Sequence, residues 1–209
     1  MKILKQNVNV QTAAMSGKPT VISTFAGCGG SSLGYKMAGY KELLAIEWET
    51  NAVETFKLNF PNVPVWQRDI TTVTGKEIFE FTGLKKGELD IFDGSPPCQG
   101  FSAAKGKRNI NDYRNDLSYE YIRLINELQP KVFVMENVAG MVRGKMKGNF
   151  IRIMKELKAT GYDVKCTLMN TKHYEVPQMR ERLIWIGVKN GKSTFPKPNN
   201  KITNLNDVL

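Results

Sequence analysis

"TVISTFAGCGGSSLGY", residues 20–35, decides the architecture. Its first six residues are mostly β-branched or apolar, which suits a buried strand. Three glycines follow, Gly27, Gly29 and Gly30, allowing a tight turn and leaving no side chains in the way of a ligand. Ser31 and Ser32 come next as candidate caps for a helix over about 31–39. A strand, a glycine turn and a helix in that order open a parallel α/β sheet.

The same alternation continues outward from this unit. "LLAIE" (43–47) reads as a second strand, "NAVETFKLNF" (51–60) as a second helix, and a short strand lies near "VPVWQ" (63–67). "LDIFDG" (89–94) is a fourth strand. "DLSYEYIRLINEL" (116–128) places Leu117, Tyr121, Leu124, Ile125 and Leu128 on one helical face, and Pro130 helps end it. "KVFVMEN" (131–137) is a strand, and "NFIRIMKELKATG" (149–161) is a helix stopped by Gly161. The strand-like runs "DVKCTLMN" (163–170) and "RLIWIGV" (182–188) close the series. Crossover units of this kind predict an α/β fold: a mostly parallel, doubly wound, Rossmann-like sheet with helices on both faces. Such sheets bind ligands beyond the carboxyl ends of their strands.

Composition bounds the rest. The chain has 209 residues, 41% hydrophobic and 24% charged, enough for one domain with a full core. No apolar run approaches the roughly 18 residues of a membrane helix. The first residues, "MKILKQNVNVQTAAMSGK", lack a continuous apolar stretch and read as a loose lead-in without a signal peptide. The net charge of +10 fits either a solvated basic surface or a polyanionic partner such as nucleic acid. Three well-separated cysteines, Cys28, Cys98 and Cys166, argue for a reducing, cytoplasmic setting rather than a disulfide framework. With no CxxC pair and His173 as the only histidine, no metal site is expected.

Chemically loaded residues fall just after the strands. Glu47 lies twenty residues beyond Gly27 at the end of the second strand, where a carboxylate can accept the hydroxyls of a ribose. Trp48 could pack on an adenine, and Asp69, after the third strand, could accept an adenine amino hydrogen. A glycine turn by itself is equally consistent with plain punctuation. The spacing is not GxGxxG, which disfavours a dinucleotide, and no lysine loop for a triphosphate is present. An adenosyl cofactor without phosphate fits the three positions together, and S-adenosylmethionine is the candidate.

"GSPPCQGFS" (94–102) supplies a possible nucleophile. A free cysteine is usually a buried structural thiol. Here Pro96 and Pro97 stiffen the chain that presents Cys98, and the polar, basic segment "QGFSAAKGKRNINDYRND" follows it. That setting suits a thiol at the lip of a ligand site. Cys166 lies mid-strand and reads as core, and His173 reads as a packing or surface residue.

"FAGCGG", "GSPPCQGFS", "ENV" (136–138) and "VPQMRERLIWIG" (176–187) occur in one order. In this series the chain resembles the DNA cytosine-5 methyltransferases, over roughly residues 20–209. The resemblance implies transfer of a methyl group from S-adenosylmethionine to carbon 5 of cytosine. Cys98 would add to carbon 6, making carbon 5 nucleophilic. Glu136 would relieve charge at ring N3. Arg180 and Arg182, sent to one face by period-two spacing, would contact the base and help hold the thiolate. It also implies a cofactor pocket of Phe25, Ala26, Gly27, Gly29, Gly30, Leu33, Glu47, Trp48, Asp69, Ile70, Gly94 and Pro97. The partner would be double-stranded DNA with its target base flipped out. Gln99, Ser102, Lys105, Lys107, Arg108 and Arg114 are the candidate DNA contacts.

The expected organisation is a lead-in at 1–18, a catalytic and cofactor-binding domain at 19–195, and at 196–209 the start of a linker toward a target-recognition domain that the chain lacks. That pattern implies a bacterial or phage modification enzyme whose recognition part is supplied elsewhere. Two other readings stay open: a related RNA (tRNA) cytosine methyltransferase, and a non-catalytic DNA- or cofactor-binding module.

Overall fold

β1 (Thr20–Thr24) is buried at every position, because it is paired on both edges. The computed structural model describes residues 17–97, 117–142, 147–199, 201 and 203–207. In chain order the remaining strands are β2 (Lys41–Glu47), β3 (Val65–Gln67), β4 (Ile91–Gly94), β5 (Val132–Val138), β6 (Asp163–Asn170) and β7 (Glu181–Val188). They form one seven-stranded, mostly parallel sheet in the order β3-β2-β1-β4-β5-β7-β6. The helices among the described residues are α1 (Gly30–Met37), α2 (Thr50–Asn59), α3 (Gly75–Thr82), α4 (Leu117–Leu128) and α5 (Lys147–Ala159). The predicted α/β class is the observed one. Among the described residues no helix is long and apolar enough to cross a membrane.

The chain divides into two units. The first holds the described residues up to Gly94 together with Arg123–Lys131. Here β1 pairs in parallel with β2 and β4, and β2 with β3. Ile22, Leu44, Phe56, Ile78 and Phe92 are wholly buried between these strands and their helices. Burying each such side chain contributes about 1.5–3 kcal/mol. The amino-terminal ends of β1 and β4 are tied by Asp90. Its Oδ2 accepts from Thr20 N at 2.7 Å and Thr20 Oγ1 at 2.9 Å, and its Oδ1 from Lys131 Nζ at 2.7 Å.

Two expectations about this unit change. The sequence reading left residues 68–88 without an element, yet α3 forms there. Thr74 and Glu77 close a reciprocal capping box at its start, and Gly83, at φ 74°, ends it. Neither Ser31 nor Ser32 caps α1. Its N-cap is Gly29, with no side-chain cap bond. Ser32 is buried instead and donates through Oγ to Glu42 Oε1 at 2.9 Å.

The second unit holds Ser95–Ile122 and the residues from Val132 on. β7 runs antiparallel to both β5 and β6. Leu183, Trp185 and Gly187 of β7 are buried, and the residues between them are half-buried. A Cβ on Gly187 would lie 2.0 Å from Phe133 Cε1, so only glycine lets these strands keep that ring between them. Cys166 is a correction to the sequence reading: on β6, the last strand in the sheet order, it is half-buried rather than core. Burial still pushes its thiol up to about 12, so it stays protonated at neutral pH.

Glu42 generates a prediction. Burial raises its carboxyl pKa above the ordinary value, and the Ser32 hydrogen bond only partly opposes this. The folded chain therefore binds a proton there more tightly than the unfolded chain, and stability falls as pH rises above about 4.5. Glu42→Gln imitates the protonated form. Its melting temperature is expected to exceed that of the wild type at neutral pH, with the gap closing toward pH 4.5. A constant gap across that range in thermal-unfolding curves would contradict the assignment.

Candidate functional site

The strand order reverses at β1. The chain moves outward through β2 and β3, then returns to place β4 on the other side. A switch of this kind opens a crevice at the carboxyl ends of the strands. Register puts those ends level: Thr24 faces Ile46 of β2 and Gly94 of β4, and Glu47 faces Gln67 of β3. The glycine turn, Glu47, Asp69 and Gly94 therefore share one edge of the first unit.

The turn departs from ordinary backbone as soon as β1 ends. Phe25 has φ 54°, a left-handed value rarely taken by a bulky residue, and Gly27 and Gly29 follow at 54° and 94°. Two backbone bonds shape it, Ala26 N to Ile46 O at 3.2 Å and Gly29 N to Ala26 O at 3.0 Å. The glycines do different jobs. A Cβ on Gly27 or Gly30 would meet nothing within 4 Å, so these two leave open space for a ligand. A Cβ on Gly29 would lie 2.2 Å from Phe60 Cε2, so Gly29 makes room for α2's aromatic end rather than for a ligand.

Glu47 is held by backbone alone. Its Oε2 accepts from Gly27 N at 2.8 Å, while its Oε1 accepts from Trp48 N at 2.8 Å and Glu49 N at 3.0 Å. Three N–H donors aim a carboxylate that is 8% exposed, and Oε2 carries the lighter load. Trp48 beside it is exposed, as is Leu33 of α1. Asp69 precedes a 3-10 turn at Ile70–Thr72 and caps it through Oδ1, which accepts from Thr71 N and Thr71 Oγ1. Ile70 is buried. The turn from Phe25 to Ser32 contains no lysine or arginine to neutralise a phosphate. An acid at the end of β2, an acid beyond β3 and an open glycine turn fit an adenosyl group without phosphate.

Sequence reasoning missed a contact beneath this edge. Tyr35 of α1 donates its hydroxyl to Asp93 Oδ1 at 3.0 Å, and Asp93 O accepts from Thr24 Oγ1 at 3.0 Å. Burial first, and the Asp93 carboxylate second, drive the Tyr35 hydroxyl far above its usual range, so it stays protonated and keeps its proton for Asp93. The pair pins α1 to the ends of β1 and β4.

The second unit holds the other polar group. Glu136 of β5 and Arg182 of β7 share one sheet face, since Val138 stands opposite Arg182 and Glu136 opposite Ile184. The diagonal brings Arg182 Nε to 2.6 Å from Glu136 Oε1. Arg182 Nη1 donates to Glu181 O at 2.8 Å. Among the described residues, Arg182 Nη2 and Glu136 Oε2 keep no partner, which leaves a donor beside an acceptor. Side-chain exposures of 26% and 31% mean that solvent screens the pair, worth at most about 1 kcal/mol to stability. Arg180 lies one residue before β7 and is exposed. Its carbonyl accepts from Thr171 N at 3.0 Å.

Asn137 was also missed by sequence reasoning. It is 3% exposed, on the opposite face of β5 from Glu136. Its Nδ2 donates to Pro96 O at 3.0 Å, and its Oδ1 accepts from Val138 N at 2.8 Å. A polar residue at an inward position of an apolar strand was the available signal. Pro97 follows Pro96 and is half-buried. Cys98, Gln99, Ser102, Lys105, Lys107, Arg108 and Arg114 lie outside the described residues.

Residues 19–209 match the sequence model of the C-5 cytosine-specific DNA methylase family. The chain is 40% identical over 182 residues to the Type II methyltransferase M1.HphI of Haemophilus parahaemolyticus, covering 86% of this chain and 48% of that protein. It is 41% identical over 175 residues to the Type II methyltransferase M.DdeI of Desulfomicrobium norvegicum, covering 82% and 41%. A crystal structure described as a DNA modification methyltransferase encoded within an Escherichia coli prophage superposes with a TM-score of 0.71 at 34% identity, covering 82% and 47%. The chain thus spans about half the length of these relatives.

The two kinds of glycine separate by mutation. Both Gly27→Ala and Gly29→Ala strain a left-handed backbone, at about 1 kcal/mol each. Gly29→Ala also drives a methyl into Phe60, which adds about 1–3 kcal/mol. Urea unfolding is expected to show the larger loss for Gly29→Ala. Equal losses would contradict the division of roles.

Proposed function

The chain belongs to the C-5 cytosine-specific DNA methylase family, and from that membership we propose that it is the catalytic and cofactor-binding part of a DNA cytosine-5 methyltransferase. The observation that carries the proposal is Glu47. Its carboxylate ends β2 and is bonded at 2.8 Å to the N–H of the open Gly27 turn, where a ribose acid is needed. S-adenosylmethionine, when bound, supplies the methyl electrophile. Glu47 then binds ribose hydroxyls, Trp48 and Leu33 offer apolar surface to the adenosyl group, and Asp69 and Ile70 take the adenine edge. Gly27 and Gly30 let the backbone approach the methionine part.

Cytosine carbon 5 is a weak nucleophile. In this reading Cys98 adds to carbon 6 and the ring becomes enamine-like. Glu136 shares a proton with ring N3, and Arg182, locked to Glu136 at 2.6 Å, donates to the ring carbonyl. The donor left on Arg182 suits the ring carbonyl of a cytosine, and the oxygen left on Glu136 suits its exocyclic amino group. Arg180 and the basic residues after Cys98 serve the nucleophile and the phosphates. Cys98 is released when the carbon-5 proton leaves. A base paired within a duplex must be flipped out to reach these groups, at a cost of a few kcal/mol. Choice of DNA sequence falls to a target-recognition region beyond these residues, and the setting is a bacterial or phage modification system.

The test is mechanism-based trapping. The chain, supplied with a target-recognition region from a relative, is incubated with S-adenosylmethionine and duplex DNA carrying 5-fluorocytosine. A covalent protein–DNA adduct that Cys98→Ser abolishes is the expected result. An adduct on 5-fluorocytosine RNA alone would move the substrate to RNA. Cofactor binding without any adduct would leave a binding module.

A further inference from the structure

We infer that Arg123, held by Glu127, is the positioning residue that sets adenine selectivity at the Asp69–Ile70 turn. This rests on the cofactor reading above and goes beyond it, since neither side chain is part of the expected pocket. Both lie on α4, in the portion that belongs to the first unit. Arg123 Nη2 donates to Val73 O at 2.9 Å and to Ile70 O at 3.3 Å. Its Nη1 pairs with Glu127 Oε1 at 2.7 Å, and Glu127 Oε2 accepts from Gly75 N at 2.5 Å. The two residues grip the 3-10 turn and the start of α3 in one network.

A second guanidinium approaches the same turn. Arg68 donates through Nη2 to Thr72 O and through Nη1 to Glu77 Oε1 at 2.8 Å. The carbonyls of Ile70, Thr72 and Val73 thus all face cations. Thr72 and Val73 carry the carbonyls at the carboxyl end of the turn, whereas Ile70 O already accepts from Val73 N at 3.2 Å and gains Arg123 as a second donor. Fixing that end fixes the other, because the turn is only three residues long. The other end carries Asp69 and the first N–H of the turn, at Ile70.

Those two groups would tell adenine from hypoxanthine. Adenine offers an amino donor and a ring-nitrogen acceptor side by side, matching a carboxylate and an N–H. Hypoxanthine offers a carbonyl oxygen and an N–H in the same places, reversing both matches. Selectivity of this kind depends on angle as well as distance, so a turn free to rotate would bind both bases weakly and choose poorly. Gly75 supports the tightness of the grip: a Cβ there would lie 2.8 Å from Glu127 Cβ.

The experiment measures dissociation constants by calorimetry for S-adenosylhomocysteine and S-inosylhomocysteine, using the full chain. Wild type is expected to prefer the adenosyl ligand. Arg123→Met is expected to reduce the preference by roughly tenfold, the worth of one hydrogen bond to a charged group. Arg123→Lys, which cannot span two carbonyls and a carboxylate, is expected to restore it only in part. Glu127→Gln keeps an acceptor for Gly75 N but removes the charge that orients Arg123. It is the milder variant, read if Arg123→Met does not fold, and its preference is expected to fall as well. Equal weakening of both ligands, with the preference kept, would overturn the inference and leave the cofactor reading standing. Failure of the wild type to bind either ligand would overturn both.

Discussion

One strand with a parallel partner on each edge governs this molecule. Because β1 has β2 on one side and β4 on the other, the connections must leave in opposite directions, and a gap opens where they part. The glycine turn, Glu47 and Gly94 stand at the strand ends that border that gap. Glu47 could not sit there unaided, since a carboxylate only 8% exposed needs donors. The Gly27 turn and the first two residues after β2 supply them from backbone, and among the described residues no cation pairs with the acid.

Much of this was legible in the chain itself, for identifiable reasons. Strands β1, β2, β4, β5, β6 and β7 announce themselves as apolar, β-rich runs, and α4 as a periodic face whose five predicted positions are all buried. The four strand-end positions follow once the alternation is seen. What escaped were features that depend on partners distant in sequence. The α3 helix was hidden because "GKEIFEFT" is short, although its capping box was present as Thr74 and Glu77. Ser32 looked like a cap because caps are local, yet the buried Glu42 claimed its hydroxyl. Gly29 looked like its neighbours until Phe60, thirty-one residues later, was placed against it. Tyr35 with Asp93, and Asn137 with Pro96, are pairs that no spacing rule predicts.

The second unit follows a different logic. Antiparallel pairing of β7 between β5 and β6 lets Glu136 and Arg182 meet across adjacent strands, where period-two spacing alone had only placed residues on a face. The ion pair contributes little to folding at its exposure. What it does is limit freedom: each group is oriented by the other through the 2.6 Å contact. An acid and an arginine on separate loops would need to be ordered anew by each ligand, losing side-chain entropy every time.

Phe25 has one more implication. An aromatic side chain at φ 54° is a local conformational penalty of about 1–3 kcal/mol, located at the mouth of the crevice rather than in the core. Strain of this kind persists only where the surroundings hold it, and here Ile46 and Glu47 of the neighbouring strand bond the residues that follow Phe25. A small molecule that seats against this bend would add its contacts to those that hold it and would stabilise the folded chain by mass action. The heat resistance of the chain should therefore be governed by the ambient concentration of whatever fills the gap.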